Sequence, residues 1–404
     1  MFRSRTRQSL EVFLYVIQSL ANSATLKLSF DKALVCATGF ASVFVSCKAL
    51  AEPVLIKPGR DRALVPVVGT EVMDVTHIQR LPPKGRFSIE AYFSRIRECL
   101  EESVDVKLFV LPHESRGIWP RIQNMLAARR EQCDVSHVTG DVNYVTLFLQ
   151  RKRTVLTVLD CEVMDRNTGW KRLLLKWLWF ILPSRRVAAI TVISEETKRN
   201  LIRVTGLPSD RIQVLPVPVK AMFSASPHSF NVVCPRILHI GTKANKNLPR
   251  LIEALRTVQC RLDIVGPIDE AQQDALDEHG IPHENFLQLT DEELLERYHE
   301  ADIVSFVSTY EGFGLPIVEA QSVERICITS SCSSMPEVAG EGACFVDPFD
   351  VGSIRRGLDK VIRDVDYRES IIAAGRKNRL RFDAQRIADA FQQLYQDIDK
   401  AASK

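Results

Sequence analysis

The segment Glu311-Gly-Phe-Gly-Leu-Pro-Ile-Val-Glu319 sets two carboxylates at the ends of a stretch suited to a tight turn entering a helix. Gly312 and Gly314 let the backbone come close to a ligand, and Pro316 fits a first helical turn. Such a turn, carrying Phe313 and Leu315, presents free backbone N–H groups to an anion. Glu311 and Glu319 can accept hydrogen bonds from hydroxyls. A second cluster, Gly241-Thr242-Lys243-Ala-Asn-Lys246-Asn247, adds fixed positive charge for a pyrophosphate, with Asn247 expected to cap the next helix. Read alone, that cluster is better explained as a polar loop with surface lysines. Together the two clusters point to a site for phosphate and sugar, as in a nucleotide sugar.

Both clusters need a strand before them and a helix after them. Apolar runs at Ile237–Ile240 and Ile303–Val307 read as buried strands, and Leu248–Val258 as the helix after the first cluster. Further strands are expected at Leu262–Val265, Phe286–Leu289 and Ile326–Thr329, with helices at Asp291–Ala301 and Ile354–Arg363. An earlier series reads the same way. Buried parallel strands are expected at Val104–Val110, Val135–Val138, Thr154–Leu159 and Ala188–Ile193. Helices at Ile89–Leu100, Ile118–Cys133, Trp170–Ile181 and Glu195–Thr205 separate them, the last capped by Ser194 with Glu195 and Glu196 at its positive end. Alternation of strand and helix implies doubly wound parallel sheets.

The stretch 216–231 is rich in Ser and Pro without periodicity, and marks a domain boundary. The expected organisation is therefore an extension at 1–64, a first Rossmann-like domain at 65–225, a second at 232–382, and an amphipathic C-terminal helix at 383–404 able to bridge them. Sites in such sheets lie beyond the carboxyl ends of the strands, so both clusters fall on the ligand-binding edge of the second domain.

Composition narrows the class. A length of 404 residues suits two domains, and 46% hydrophobic with 25% charged residues is that of a globular protein. A net charge of +3 gives no argument for nucleic acid. The cysteines, scattered from Cys36 to Cys344 without a CxxC pair, fit reduced thiols in a cytoplasmic setting and no metal site. No apolar stretch is long enough to span a bilayer. Within the extension, Ala49-Leu-Ala51 resembles a signal-peptidase site, but Lys48 sits in the cleavage region; a transit peptide, a packed extension and a mis-assigned start remain open readings.

Residues 237–347 resemble the donor-binding domain of the retaining glycosyltransferases of family 4, which have the GT-B fold of two Rossmann-like domains facing a central cleft. The paired glutamates match that family's EX7E motif within Ser308-Thr-Tyr-Glu-Gly-Phe-Gly-Leu-Pro-Ile-Val-Glu-Ala320. Ile240-Gly-Thr, Lys246-Asn, Met335-Pro-Glu-Val-Ala-Gly340 and Val346-Asp-Pro348 follow in the family's order. His137-Val-Thr-Gly-Asp141 and Val192-Ile-Ser-Glu-Glu-Thr-Lys198 extend the likeness more weakly to the first domain, and the resemblance covers about residues 65–400. It implies that Glu311 contacts the transferred sugar's hydroxyls, and the N–H groups of Gly312 to Gly314 those hydroxyls or the diphosphate. Glu319 would hold the ribose, and Lys246 would neutralise the departing diphosphate. It further implies transfer with retention to a hydroxyl of a glycan or lipid-linked acceptor, with no metal and no cofactor besides the nucleoside-diphosphate sugar.

The chain departs from the family pattern in two places. Many relatives have His-Asp where this chain has Leu159-Asp160, so Asp160 remains a candidate reaction-centre residue beside a leucine. Glu324 and Ile326 replace Gly and Pro in a loop farther from the chemistry. A turn at Pro82-Pro-Lys-Gly85-Arg-Phe-Ser88 reads either as a glycine loop lining the cleft, through Gly85 and Ser88, or as a plain turn capped by Ser88. The basic and aromatic stretch 170–186 reads first as a core helix; the alternative is peripheral contact with the inner face of an anionic membrane. Two competing functions stand beside transfer. One is a nucleotide-sugar-binding scaffold without turnover, motivated by Leu159; the other is a dinucleotide oxidoreductase, weakened because no GxGxxG follows a strand.

Overall fold

Runs of β-branched and aliphatic residues, each followed by a helix, build two parallel sheets in the computed structural model, which describes residues 72–82, 88–162 and 169–404. The extension before residue 65, the turn glycine Gly85 and the side chain of Ser88 lie outside the described residues. The described residues form one compact unit.

The first sheet contains β1 (Met73–Gln79), β2 (Val104–Val110), β3 (Val135–Val138), β4 (Thr154–Val158), β5 (Ala189–Val192) and β6 (Ile212–Val214). Its order is β2-β1-β3-β4-β5-β6, all parallel. The connections carry α1 (Ser88–Cys99), α2 (Ile118–Arg130), α3 (Gly169–Leu175) and α4 (Glu195–Thr205). Helix α3 runs on as a π-helical stretch, Lys176–Ile181, and ends in a further α turn, Leu182–Arg185. Ser194 caps α4 through its side chain, which accepts from the Thr197 N–H at 3.0 Å.

The second sheet contains β7 (Arg236–Ile240), β8 (Arg261–Val265), β9 (His283–Phe286), β10 (Ile303–Phe306), β11 (Ile326–Ser330) and β12 (Cys344–Val346). Its order is β12-β11-β10-β7-β8-β9, again all parallel. Around it lie α5 (Leu248–Leu255), α6 (Glu270–Glu278), α7 (Asp291–Glu300), α8 (Leu315–Ser322), α9 (Met335–Ala339), α10 (Val351–Arg363) and α11 (Val365–Asn378). The central strands are buried on both faces, as parallel sheets covered by helices require.

Three sequence expectations need correction. Val104–Val110 is a strand but not a buried one: β2 is an edge, with Leu108 and Val110 exposed. The strand expected at Phe286–Leu289 lies instead at His283–Phe286. This edge strand needs no apolar run, and Leu287 is 57% exposed. The helix read as Trp170–Ile181 changes winding halfway, at Lys176.

The last helix, α12 (Ala384–Ala402), belongs in sequence with the second sheet but packs on the first. Tyr395 Oη sits 3.0 Å from His77 Nε2 and 2.7 Å from His137 Nδ1. His137 Nε2 continues to Thr157 Oγ1 at 2.7 Å, and Thr157 to Thr191 Oγ1 at 2.6 Å. Burial pushes His137 down to about 3 and His77 well below its ordinary range, so both imidazoles are neutral hydrogen-bonding groups. Gln392 donates to Glu101 Oε2 at 2.8 Å, and Arg153 pairs with Asp399 at 3.0 Å.

Candidate functional site

The order of the second sheet creates the site. The chain leaves β7 toward β8 on one side and leaves β10 toward β11 on the other, so a crevice opens between two neighbouring strands at their carboxyl ends. The loops after these two strands, 241–247 and 307–314, are the two clusters singled out by residue type. They are laced together. Asn245 O accepts from the Thr309 N–H at 2.8 Å, and Asn245 Nδ2 donates to Tyr310 O at 3.1 Å.

Across the crevice Lys246 Nζ donates to Glu311 Oε1 at 2.7 Å, and Asn245 Nδ2 donates to the same oxygen at 3.2 Å. Lys246 and Glu311 are 20% and 16% exposed, so the pair is largely shielded yet reachable by a ligand. The ammonium also lies 4.6 Å from the centre of the Phe306 ring, a cation–π contact. Gly241 is required here: it has φ +89°, and a Cβ would come within 3.0 Å of the Lys246 stem. Thr242 Oγ1 is tied to Pro267 O, while the Lys243 side chain is exposed.

Asn247 does not cap α5. Its φ of +65° is a left-handed conformation that asparagine tolerates, and no side-chain cap forms. Its Nδ2 instead donates to Val307 O at 3.0 Å and Pro348 O at 2.7 Å, closing the floor of the crevice.

The glycine turn is held from several directions. Ser333 Oγ and Ser334 Oγ donate to Glu311 O at 2.8 and 3.0 Å, and Ser334 also donates to Phe313 O at 2.7 Å. Gly314 precedes α8 with φ +108°, and Pro316 sits in the first turn of that helix. Phe313 is buried, edge-on to Phe382 at 5.6 Å, and Leu315 opens α8 half-buried. At Gly312 the first domain enters the site. Its carbonyl accepts from Ser194 Oγ at 2.8 Å and Thr197 Oγ1 at 3.3 Å, and a Cβ there would stand 2.8 Å from Leu159 O.

Glu319 lies one turn into α8 and is buried. Tyr298 donates to its Oε2 at 2.6 Å. Burial raises the carboxyl to about 7, against the opposing pull of the Tyr298 hydrogen bond and the Lys220 ammonium. Asp160 is exposed, its Oδ1 accepting from the Glu162 N–H at 3.0 Å, and its Cβ adjoins the Gly312 position. The Leu159 side chain packs on Gly140, where a Cβ would be 2.8 Å from Leu159 Cδ1. Among the described residues, no three His, Cys, Asp or Glu side chains cluster closely enough to share a metal ion. No helix of the described residues is long and apolar enough to cross a membrane.

Sequence reasoning singled out Glu311, Lys246, Gly312 and Gly314, which meet at one crevice, with Glu319 on the adjoining helix. It missed Asn245, Tyr298, Ser333 and Ser334 as contributors, and the grip of Ser194 and Thr197 on Gly312. The paired serines before Met335-Pro-Glu337 were the one local signal available. Glu337 itself reaches the first domain, accepting from the N–H groups of Glu195 and Glu196 at 2.7 and 3.2 Å.

Known proteins resemble both halves of the chain. Residues 235–378 match the glycosyl transferases group 1 family, and residues 77–221 match glycosyltransferase family 4. The chain is 31% identical over 216 residues to the serotype-specific mannosyltransferase WbdA of Escherichia coli, covering 46% of this chain and 26% of that protein. It is 27% identical over 208 residues to the O-antigen chain mannosyltransferase B of E. coli, covering 46% of this chain and 54% of the other. The chain thus spans about a quarter to a half of these relatives. Among solved structures, Anabaena HepE in complex with UDP and glucose superposes with a TM-score of 0.65 at 14% identity, covering 80% of this chain and all of that one. That likeness shows the fold. The chain therefore carries a glycosyltransferase family 4 domain followed by a group 1 glycosyl transferase domain, together forming a GT-B fold.

Proposed function

We propose that this protein is a retaining glycosyltransferase that moves a sugar from a nucleoside diphosphate to a hydroxyl of a glycan or glycolipid. The observation that carries the reading is the Lys246–Glu311 pair at the crevice between β7 and β10. The cation and carboxylate meet there beside the glycine turn, the residue types a sugar diphosphate needs. In this reading Lys246 and the N–H groups of Gly312 to Gly314 stabilise the charge that grows on the leaving diphosphate. Glu311 accepts from sugar hydroxyls, and Glu319 from the ribose. The bond from the anomeric carbon to the phosphate oxygen breaks. The acceptor oxygen bonds to that carbon on the same face, and its proton passes to a phosphate oxygen. No metal or other cofactor takes part. The mannosyltransferases among the relatives make mannose the first sugar to test, and the UDP and glucose of HepE make glucose the second.

The division of labour follows the two sheets, with donor on 232–382 and acceptor on 65–225. The test is release of UDP or GDP from a panel of mannose and glucose donors. Donor-dependent release that disappears in Glu311→Ala is expected; release unchanged in that variant overturns the assignment. A second reading, donor binding without turnover, draws on Leu159, an apolar side chain lying against Gly140 at the cleft. Binding of a donor with no release for any acceptor favours it.

A further inference from the structure

Among the described residues the two sheets have four edge strands, and one of them is long. Strand β2 spans 7 residues, while β6, β9 and β12 span 3, 4 and 3. Short edges offer little to a second chain, whereas a long one presents a row of unpaired N–H and C=O groups. The ladder fixes which groups these are. Ser103 O accepts from the Met73 N–H, and the Leu111 N–H donates to Gln79 O, so the odd-numbered residues of this stretch turn their backbone groups toward β1. Val106, Leu108 and Val110 therefore turn theirs outward, where no described strand pairs with them.

The side chains of β2 bear on what could pair there. Asp105, Lys107, Leu108 and Val110 are all exposed. A lysine on an edge strand ordinarily repels a second strand. Here Asp105 stands two residues from Lys107 and so on the same face. Asp105 has no ion-pair partner among the described residues, and Lys107 pairs with Glu131. Charge then selects a register for two identical strands paired antiparallel about a twofold axis. An axis at Asp105 sets Asp105 against its own copy, and an axis at Lys107 does the same to Lys107. An axis at Leu108 sets Lys107 opposite Phe109 and Asp105 opposite Leu111. An axis at Val106 sets Asp105 opposite Lys107 twice over and Leu108 opposite Val104. It also lets the outward N–H and C=O of Val106 bond reciprocally to those of the second copy.

We propose that this edge joins two copies of the chain into a twofold dimer, β2 pairing antiparallel with β2 of the second copy in the register centred on Val106. The interface is isologous, each copy giving one aspartate and one lysine to the other. The lysine that guards the edge against other strands thus becomes a selective contact for this one. Because all strands of the sheet are parallel, the carboxyl ends of the two joined sheets point in opposite directions. The inference goes beyond the transferase reading and does not depend on it.

Sedimentation of the full chain across about 1–100 µM tests it, a range suited to a small interface. The wild-type protein is expected to reach twice the monomer mass. Asp105→Lys and Lys107→Asp each set like charges opposite one another on both sides of the axis, and should weaken the dimer about tenfold or more. The double variant restores opposite charges in every pair and should regain the dimer, which damage to an unrelated surface would not allow. Leu108→Pro removes an outward N–H and keeps the ladder to β1, so it should give a monomer with an unchanged circular dichroism spectrum. If that variant unfolds, the charge series still decides. A wild-type monomer throughout, as when the N-terminal extension or another protein takes this edge, overturns the proposal. A dimer indifferent to both single charge changes overturns it too, as does one that the double variant fails to restore.

Discussion

Glu319→Gln tests the electrostatics of the site without reference to turnover. The native carboxyl is buried beside Tyr298 and titrates at about 7 instead of 4.5. Below pH 4.5 it is protonated in folded and unfolded chains alike and makes no pH-dependent difference. Above 4.5 the unfolded chain releases its proton first, while the folded chain keeps it to about 7. Folding therefore binds a proton in this window, and stability falls as pH rises through it. The gap between about 7 and 4.5 corresponds to ~3 kcal/mol. Above pH 7 both forms are ionised and the deficit is constant.

Glutamine keeps an acceptor for the Tyr298 hydroxyl and cannot ionise. The stability difference between Glu319→Gln and wild type is thus expected to grow in the variant's favour by ~3 kcal/mol from pH 4.5 to pH 8. Urea unfolding at intervals of half a pH unit measures it. Nucleoside-diphosphate binding should run the other way in the wild type, strengthening as the carboxylate forms and accepts from ribose hydroxyls. Parallel stability curves for the two proteins, within about 0.5 kcal/mol, would falsify the reasoning. So would a wild-type curve that gains on the variant as pH rises.

Gly312→Ala drives a methyl to 2.8 Å from Leu159 O and 3.4 Å from Asp160 Cβ, so the turn must shift; we expect a loss of ~1–3 kcal/mol in stability and weaker donor binding, read by thermal shift with and without nucleotide. Unchanged values in both would mean that the contact with Leu159 is loose. Tyr395→Phe leaves buried nitrogens of His77 and His137 without their hydroxyl partner, and should cost ~3 kcal/mol of unfolding free energy. A loss under about 0.5 kcal/mol would show that the Tyr395 hydroxyl contributes little to holding α12.

The legible parts of the fold are those where local residues decide. The run Ile303–Phe306 with the glycines and Pro316 after it declared both strand and turn, because burial on two faces demands an unbroken apolar strand. Strand β1 was not singled out, since Met73–Gln79 alternates apolar residues with Asp74, Thr76 and His77, and the last two are buried by a network that sequence cannot reveal. Strands β6 and β12 span three residues each and carry too little pattern. Helices α6 and α11 are largely polar and passed as connecting segments. Glu311 and Lys246 were legible as residue types, but their meeting depends on β7 lying beside β10, a pairing across more than sixty residues of chain. The same limit hid Tyr298 and Ser194, each brought to the site by a different element.

The carbonyl of Gly312 accepts from Ser194 and Thr197, while Glu337 holds the first N–H groups of the same helix. The turn before α8 is therefore shaped partly by atoms of the helix that follows β5. Any motion that parted α4 from this turn would have to break these bonds. By thermodynamic reciprocity, whatever a ligand on one side contributes to that contact is returned as affinity on the other, to the same factor. A pair of hydroxyls and one carboxylate would thus carry any coupling between ligands bound to the two halves.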